Sequence, residues 1–558
     1  MSKISDRAQL AVLFSIPIWV ALFVWLSPLS FIPVPWPDDS AFYFVAKSLF
    51  SWPPRWVMLP QAPFEPTYRI FNFNTMPLYP ILIGLGRFLG IDGSFLLKVW
   101  PLGAWALTGS YFVSLIYRRG LPFGLCLIWV LAFSLDPELR WASVLVRPES
   151  LIGLFGIILV SGLTLGFPKR FAPTRLWDPV AALLALSAYS HFNAIHLLFP
   201  VIFTFGRNPK RLFEIGAKTS LYLAPWLLAV LLHWNLFKIQ MITQWTRLAV
   251  PNNWLDNPYL AISSLFQNLG SPEKWPDMTG WASVGMWLLI ISAYVSTLLS
   301  LMSIARNKKV AISIIPAFGW IIGAAWIWHS KPEVWFVYYL HVATWFFVGI
   351  AALKFWKFRN SIRIPILGLL FSTTAAITSI FLYVDVDQAV RLEKTESWHW
   401  STYYDFVNCI DKKLTELHTK KGLNQPFSVW DPTFPDVTIE LSRKHPTWEL
   451  TRTNDFISRS GLAVQHGRDV DAVVVTEIFQ ETERSISAVA EDVPHLQSEW
   501  MHFRPYFLNV LWSSPGWKPN RYVCQRGRWQ AFIFMKTYGA SDSNVLGQGS
   551  IFDSQKAR

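Results

Sequence analysis

Two adjacent carboxylates, Asp38 and Asp39, follow the first apolar stretch of the chain, within the segment PDDSAFY at residues 37–43. Ionised carboxylates at a membrane surface are costly to hold close together, so the pair needs a physical reason. One interpretation is a solvated loop in which these acids cap a helix over residues 41–50. The other is a general base that faces a membrane-embedded cavity.

A second charged group, Arg147 and Glu149, lies at the start of a long apolar run at residues 150–166. An unpaired charge is expensive at such a position, so a partner or a cavity is expected there. The two side chains are consistent with a mutual ion pair that orients two helix ends, or with a site that binds a charged substrate.

Three further side chains are candidates for contact with a substrate. Lys331 is the only basic residue of its short loop, which suits a lipid phosphate or simple snorkelling to the interface. His329 precedes it near a helix end, where a structural hydrogen bond is the alternative to a ligand role. Arg69 lies in the first loop near Trp56 and Tyr68, an arrangement suited to sugar stacking or to anchoring at the interface.

The elements that must position these residues are membrane spans. Of 558 residues, 52% are hydrophobic and 15% are charged, and the apolar residues form blocks of about twenty. The first block follows Lys3 and Arg7 without a small-residue cleavage site, so we interpret it as a retained span and not as a signal peptide. We predict eleven spans, at residues 10–28, 95–116, 121–135, 150–166, 178–190, 194–206, 217–236, 281–304, 311–328, 335–353 and 364–384.

The charges of the loops predict the sidedness of the chain. Segments on the N-terminal side hold 18 Lys and Arg and three acids, whereas the opposite side up to Val384 holds 11 of each sign. The positive-inside rule therefore places the N-terminus in the cytoplasm and the first loop, residues 29–94, outside. Residues 76–90 of that loop are apolar but contain two prolines, so we expect them to lie in the interface.

Residues 385–558 are predicted to be a soluble α/β domain outside the membrane, beyond a membrane module at residues 1–384. The tail holds 20 Lys and Arg against 22 acids, so the net charge of +13 belongs to the membrane module and indicates no nucleic-acid partner. Periodicity predicts helices at 400–421 and around 436–443, strands at 427–430, 447–450 and 472–476, and a hairpin at 521–536 that turns at 526–528.

The tail contains no glycine-rich phosphate loop and no metal-ligand spacing. Two of the three cysteines, Cys409 and Cys524, lie in it, where a disulfide is chemically permitted. The spacing does not require that bridge, and it stays open.

The motifs and their order resemble those of the GT-C glycosyltransferases. The resemblance rests on the carboxylate pair with Tyr43 four residues after Asp39, on the segment MPLYP at 76–80, and on RPESL at 147–151. The protein O-mannosyltransferases and the lipid A aminoarabinose transferases are the most similar groups. The resemblance covers residues 10–165 by motif and the later spans by topology. It implies a multi-pass α-helical membrane fold with an extracytoplasmic α/β domain.

This resemblance implies that an aspartate of the first loop is the catalytic base. Its spacing to Tyr43 favours Asp39, with Asp38 in support, although Asp-Asp stands here where many relatives have Asp-Glu. Arg147 and Lys331 are then the cations for a donor phosphate. Glu149 either orients Arg147 or helps to hold a divalent cation, and no cofactor is required.

The remaining substrate-binding candidates are Tyr43, Arg69 and His329. No copy of the later arginine–tyrosine motif of some members is present, and residues 329–339 occupy its place.

The predicted reaction is inverting transfer of a hexose or pentose from a polyprenyl-phosphate donor to a hydroxyl of a lipid, a glycan or a protein. The resemblance implies a bacterial inner membrane, with the chemistry on its outer face. A polysaccharide polymerase or ligase, a lipid-linked glycan transporter and a receptor-like scaffold are the alternatives. A transporter predicts inverted repeats and charges at mid-bilayer in both halves, and the sequence shows neither.

Overall fold

The computed structural model describes residues 6–31, 37–57, 70–73, 75–248, 308–330, 337–357, 382, 399–431, 436–451, 470–478, 522–527 and 529–535. Most of the described chain is helical. The helices of the first part are α1 (Asp6–Leu26), α2 (Pro37–Leu49), α3 (Leu78–Phe88), α4 (Ser94–Leu97), α5 (Val99–Arg118), α6 (Phe123–Ser134), α7 (Pro137–Val144), α8 (Glu149–Leu165), α9 (Pro179–Ser190), α10 (Leu198–Phe205), α11 (Pro209–Tyr222), α12 (Ala224–Leu232), α13 (Trp234–Leu248), α14 (Lys308–Ser330) and α15 (Val337–Lys357).

Helices occupy nine of the predicted spans. The other two, 281–304 and 364–384, lie outside the described residues, except for Leu382. Among the described residues, two helical stretches are long and apolar enough to cross a membrane, Asp6–Leu26 and Ser94–Arg118. The pair α11 and α12, bent by 68°, would be a third if it forms one span. The count of eleven therefore stays a prediction.

The bundle is held together by polar contacts and by small residues in its interior. Ser110 of α5 donates to the Phe14 carbonyl of α1 at 2.7 Å, and the Trp129 indole of α6 donates to the Trp345 carbonyl of α15 at 2.9 Å. A Cβ atom at Gly156 of α8 would lie 2.8 Å from the Trp320 ring. Glycine at this position lets α8 and α14 approach closely.

Helix α7 differs from the loop that the charge pattern predicts. All eight of its residues are buried. Its N-cap, Asp136, accepts hydrogen bonds from the helix and also from the His341 ring at 2.8 Å and the Trp345 indole at 2.7 Å of α15. From the sequence, the charged segment 136–141 between two predicted spans indicates a loop in which Arg140 is solvated. That interpretation is wrong, because Arg140 is only 3% exposed.

Residues 399–535, here called the C-terminal segment, contain a five-stranded mixed sheet. Its elements are α16 (Trp400–Lys421), β1 (Ser428–Trp430), α17 (Thr438–Lys444), β2 (Glu449–Thr451), β3 (Ala472–Ile478), β4 (Tyr522–Arg526) and β5 (Trp529–Met535). The strand order is β2-β1-β3-β5-β4; β1 pairs in parallel with β2 and β3, whereas β5 is antiparallel to β3 and β4. The predicted hairpin is confirmed, with Arg526 opposite Trp529 and Gly527 at φ 55° in its turn.

Helix α16 covers this sheet and has the bounds that the sequence predicts. Its buried face includes Tyr403, Phe406, Ile410 and Leu414, as the helical spacing indicates. A disulfide joins Cys409 of α16 to Cys524 of β4, with 5.8 Å between the Cα atoms. The bridge that the sequence left open is therefore present in the structure.

The C-terminal segment packs against one end of the bundle. The Phe31 ring after α1 contacts the rings of Trp400, Tyr403 and Trp529 in edge-to-face geometry at 5.0 to 5.9 Å. At the other end, the Tyr117 hydroxyl near the end of α5 donates to Gln9 near the start of α1 at 2.8 Å. The first loop and the C-terminal segment thus share one end, opposite to the N-terminus.

Candidate active site

Helix α2 positions Asp39 in its first turn. The helix begins at Pro37, whose fixed φ suits this position, and acidic residues in a first turn interact favourably with the helix dipole. Asp39 is nevertheless only 1% exposed. The interpretation of a solvated, helix-capping acid is therefore wrong for Asp39.

The carboxylate of Asp39 is held by a distant part of the chain. Its Oδ1 atom accepts a hydrogen bond from the backbone N–H of Val146 at 3.1 Å, in the turn between α7 and α8. This bond links the motif at residues 37–43 to the residue directly before the motif at 147–151, which the sequence singles out separately. It also orients a carboxylate that would otherwise rotate about its side-chain bonds.

The residue after Val146 is Arg147, which forms a buried ion pair with Glu149. The Nε and Nη2 atoms of Arg147 both donate to Oε1 of Glu149, at 3.2 and 3.0 Å. Arg147 is 7% exposed and Glu149 is 1% exposed. The predicted pairing is confirmed, and it lies one peptide unit from the segment that holds Asp39.

Two further polar residues face these groups. Lys98, between α4 and α5, is fully buried and donates to the Ser30 carbonyl at 2.6 Å. Its ammonium interacts favourably with the carboxylate of Asp39. Tyr79 of α3 is 1% exposed, and the charges that act on it are those of Asp39, Glu149 and Arg147.

The hydroxyl of Tyr79 has no hydrogen-bond partner within the described residues. Burial, the largest cause, raises the pKa of this phenol well above its ordinary value. The hydroxyl therefore keeps its proton and is available as a donor. A buried hydroxyl without an acceptor costs roughly 1 to 3 kcal/mol, so a ligand or a solvent molecule is expected to complete it.

An aromatic and amide group lies on the other side of the ion pair. Tyr339 of α15 interacts electrostatically with Glu149 and Arg147, and its hydroxyl lies near the side chain of Asn193. The ring of His196 packs on Tyr339 with 4.5 Å between centroids, and its Nδ1 lies 2.6 Å from the Asn193 carbonyl. These side chains bring polar groups of the α9–α10 connection and of α15 near the ion pair.

We call Asp39, Tyr79, Lys98, Arg147 and Glu149 the site cluster. It brings two carboxylates, two cations and one phenol together inside the bundle end that contacts the C-terminal segment. A carboxylate there can take a proton from a hydroxyl, and a cation can stabilise negative charge on a leaving group.

Other predicted site residues fall elsewhere or outside the described part of the chain. Arg69 and Lys331 lie outside the described residues, as do the side chains of Asp38 in α2 and His329 in α14. Tyr43 is fully buried one turn beyond Asp39. Its ring lies under the Arg87 guanidinium, 5.0 Å from the centroid, and not among the groups of the site cluster.

Sequence reasoning missed Lys98 and treated Tyr79 only as part of a motif. A signal for Lys98 exists, because it is a lone cation inside the otherwise apolar stretch 95–116, where an ionisable residue is a functional candidate by default. Its partners Ser30 and Asp39 are distant in sequence, so their proximity requires the folded chain.

Within the described ranges, no group of three or more His, Cys, Asp or Glu residues is arranged to hold a metal ion. Glu149 is engaged with Arg147, as the first of its two predicted roles requires. A cation at Glu149 stays a prediction.

No protein-family model matches the sequence, and no curated protein matches it. Among solved structures, the chain is similar to ArnT from Cupriavidus metallidurans bound to undecaprenyl phosphate, with a TM-score of 0.47 and 12% identity over 94% of this chain and 97% of that chain. It is similar to the apo state of the same ArnT with a TM-score of 0.42 and 12% identity over 95% and 98%. ArnT is a lipid A aminoarabinose transferase of the GT-C type, which is one of the groups that the motifs resemble.

Proposed function

We propose that this chain is a membrane glycosyltransferase that moves a sugar from a polyprenyl-phosphate donor to an acceptor hydroxyl, with inversion and with Asp39 as the general base. The reaction takes place at the bundle end that carries the first loop and the C-terminal segment, which we assign to the outer face of a bacterial inner membrane. Residues 1–384 form the catalytic membrane module and residues 385–558 the extracytoplasmic domain.

One observation carries the proposal: a buried carboxylate, Asp39, lies in one cluster with two buried cations, Lys98 and Arg147. Burying charges is expensive, and replacing a buried ion pair by apolar groups is often neutral or stabilising. Two such pairs in one place are therefore better explained by chemistry than by stability.

The proposed chemistry is a single displacement at the anomeric carbon of the sugar. Asp39 accepts the proton of the acceptor hydroxyl, while the oxygen of that hydroxyl forms the new bond to the anomeric carbon. The bond from the carbon to the phosphate oxygen breaks, and the electron pair leaves with polyprenyl phosphate. The product sugar has the opposite anomeric configuration because attack and departure occur on opposite faces.

The leaving phosphate gains negative charge and needs a cation near it more than a general acid. Arg147 supplies that charge, with Glu149 fixing its orientation through Oε1. The Tyr79 hydroxyl donates a hydrogen bond to the phosphate or to the sugar. Lys331 and Asp38 keep supporting roles, and the acceptor is a lipid, a glycan or a protein.

The direct test is sugar transfer from a polyprenyl-phosphate donor by purified Asp39→Asn protein. Removal of a general base typically lowers the rate by about 10²- to 10⁴-fold, so we expect at least a loss of about a hundredfold in kcat. Asn has the same size and still accepts the Val146 N–H bond, but it leaves the buried Lys98 ammonium without its counter-charge. Thermal unfolding in detergent is therefore measured on the same preparation, so that the rate is compared between folded proteins.

Asp38→Asn is the matched control, since it changes the neighbouring residue of the same type. We expect it to retain within about tenfold of wild-type transfer. Wild-type transfer by Asp39→Asn would refute the assignment of the base, and normal transfer by both variants would refute the mechanism.

A further inference from the structure

The C-terminal segment contacts the helix that carries Asp39, and it does so through polar groups. We call these contacts the seam. On the C-terminal side they involve Trp400, Glu440, Ser442 and Arg443, and on the bundle side Ser30, Lys47, Asp92, Ser94 and Lys98.

One part of the seam extends the face of α2 on which Asp39 lies. Asp39, Tyr43 and Lys47 are spaced by four residues and so share one side of the helix. Lys47, at the far end of this face, donates from Nζ to Oγ of Ser442 in α17 at 2.5 Å. The C-terminal segment therefore contacts α2 on the same face as Asp39, the candidate base.

A charged group next to this bond fixes the segment that follows α3. Glu440 of α17 accepts from the backbone N–H of Ser94 at 2.8 Å and pairs with Arg443 at 2.7 Å. Arg443 also lies 3.7 Å from Asp92, which in turn pairs with Arg87 at 3.4 Å. The Arg87 guanidinium lies over the ring of Tyr43, so this network of charged groups contacts the middle of α2.

The other part of the seam reaches Asp39 through Lys98. The Trp400 indole, at the start of α16, donates to Ser30 Oγ at 2.9 Å. Lys98 donates to the carbonyl of the same serine, and its ammonium lies 5.2 Å from the centroid of the Trp400 ring. A cation over an indole face is attracted by it. The ammonium that faces Asp39 is thus held in part by the C-terminal segment.

From these contacts we infer that the C-terminal segment is a positioning element of the candidate active site: it holds α2 and Lys98 in the arrangement that presents Asp39 to the substrate. This inference rests on the proposed function for its catalytic meaning. Trp400 and Ser442 act through α2 and Lys98 and do not contact the substrate themselves.

The test compares two double variants of the full-length protein. The seam pair, Trp400→Phe with Ser442→Ala, removes one indole and one hydroxyl partner of the bundle. The control pair, Trp448→Phe with Ser428→Ala, makes the same two changes inside the C-terminal segment, where Trp448 donates to His418 and Ser428 donates to Asp471.

The first readout is hydrogen exchange of the peptide that contains residues 37–49, measured by mass spectrometry. We expect exchange at least about fivefold faster in the seam pair than in wild type, because α2 has lost its bond to α17 and Lys98 has lost the indole beside it. We expect no change in the control pair. Equal exchange of α2 in both pairs would overturn the inference. This readout does not require transfer activity.

The second readout is steady-state transfer from a polyprenyl-phosphate sugar. We expect kcat of the seam pair to fall at least about fivefold with KM for the donor and the acceptor within about twofold, since misplacing a base slows the chemical step. A raised acceptor KM with unchanged kcat would show a docking role and overturn the inference. Absence of transfer by the wild type would refute the proposed function, while hydrogen exchange would still decide the coupling.

Lys47→Met provides a second route if the seam pair is poorly folded. It removes the same bond as Ser442→Ala from the bundle side. We expect Lys47→Met combined with Ser442→Ala to accelerate hydrogen exchange of α2 no more than either change alone, because both break the same hydrogen bond. Additive acceleration would mean that the bond is not the link, and would overturn the inference.

Discussion

At the scale of single residues, the site cluster contains two charge pairs whose members come from different parts of the chain. Arg147 and Glu149 are neighbours in sequence, whereas Lys98 and Asp39 are far apart. Buried pairs contribute little net stability because desolvation offsets their attraction. The concentration of two such pairs in one cluster is therefore informative about function.

Tyr79 gives the cleanest residue-scale prediction, since Tyr79→Phe removes one oxygen and leaves the packing of the ring unchanged. If the hydroxyl donates to the substrate, transfer should fall roughly tenfold, which corresponds to a hydrogen bond of about 1.4 kcal/mol. The thermal stability should be unchanged or higher, because a buried hydroxyl without a described acceptor is removed.

The matched control is Tyr117→Phe, at the opposite end of the bundle, where the hydroxyl donates to Gln9. We expect normal transfer and slightly lower stability for that variant. The opposite pattern, with normal transfer by Tyr79→Phe, would mean that this hydroxyl has no part in binding the substrate.

Residue types alone pointed to Asp39, Arg147 and Glu149, because charged side chains next to apolar runs are conspicuous. They could not show that Val146 bonds to Asp39, since a backbone N–H leaves no trace in the sequence. Nor could they place Tyr43, whose spacing to Asp39 suggested the site but whose ring is directed toward Arg87. Contacts between distant segments decide both cases.

At the scale of elements, the turn between α7 and α8 connects the two halves of the site. It supplies the N–H that holds Asp39 and the arginine that pairs with Glu149. We expect Glu149→Gln to lower stability by about 3 kcal/mol, because it leaves a buried guanidinium without its counter-charge. Thermal unfolding in detergent measures this loss.

The double variant Arg147→Met with Glu149→Gln separates stability from function. Removing both charges should restore most of the unfolding temperature, since no uncompensated charge remains. Sugar transfer should stay at least about tenfold below wild type, because the cation for the phosphate is absent. Recovery of transfer together with stability would show that the pair only orients the two helix ends.

Prediction of elements succeeded where a local period carries the information. Helix α16 and the β4–β5 hairpin follow from helical spacing and from a Gly-containing turn, and both were found with bounds close to those predicted. Helix α7 was missed because its Asp, Glu and Arg residues are typical of an exposed loop. Its burial depends on His341 and Trp345 of α15, which local sequence does not reveal.

At the scale of the whole molecule, the structure fixes which parts share an end of the bundle. The bond from Lys47 to Ser442 and the packing of Phe31 on Trp400 require the first loop and the C-terminal segment to lie on the same side. The excess of Lys and Arg in the loops on the other side predicts that this shared end is outside.

Impermeant maleimide labelling of right-side-out membrane vesicles tests this orientation. The native cysteines give little background, since Cys126 is buried and Cys409 is bridged to Cys524. We expect Trp52→Cys, at a position that is 92% exposed in the first loop, and Ser543→Cys in the tail to react in sealed vesicles. Arg170→Cys, exposed on the predicted cytoplasmic side, should react only after permeabilisation.

The three reporters together distinguish two kinds of failure. Labelling of only one of the Trp52 and Ser543 positions in sealed vesicles would contradict the prediction that the first loop and the tail lie on one side of the membrane. Labelling of both only after permeabilisation would keep the fold but invert the protein. Asp39 would then face the cytoplasm, where nucleotide sugars serve as donors, and a polyprenyl-phosphate donor would lose its rationale.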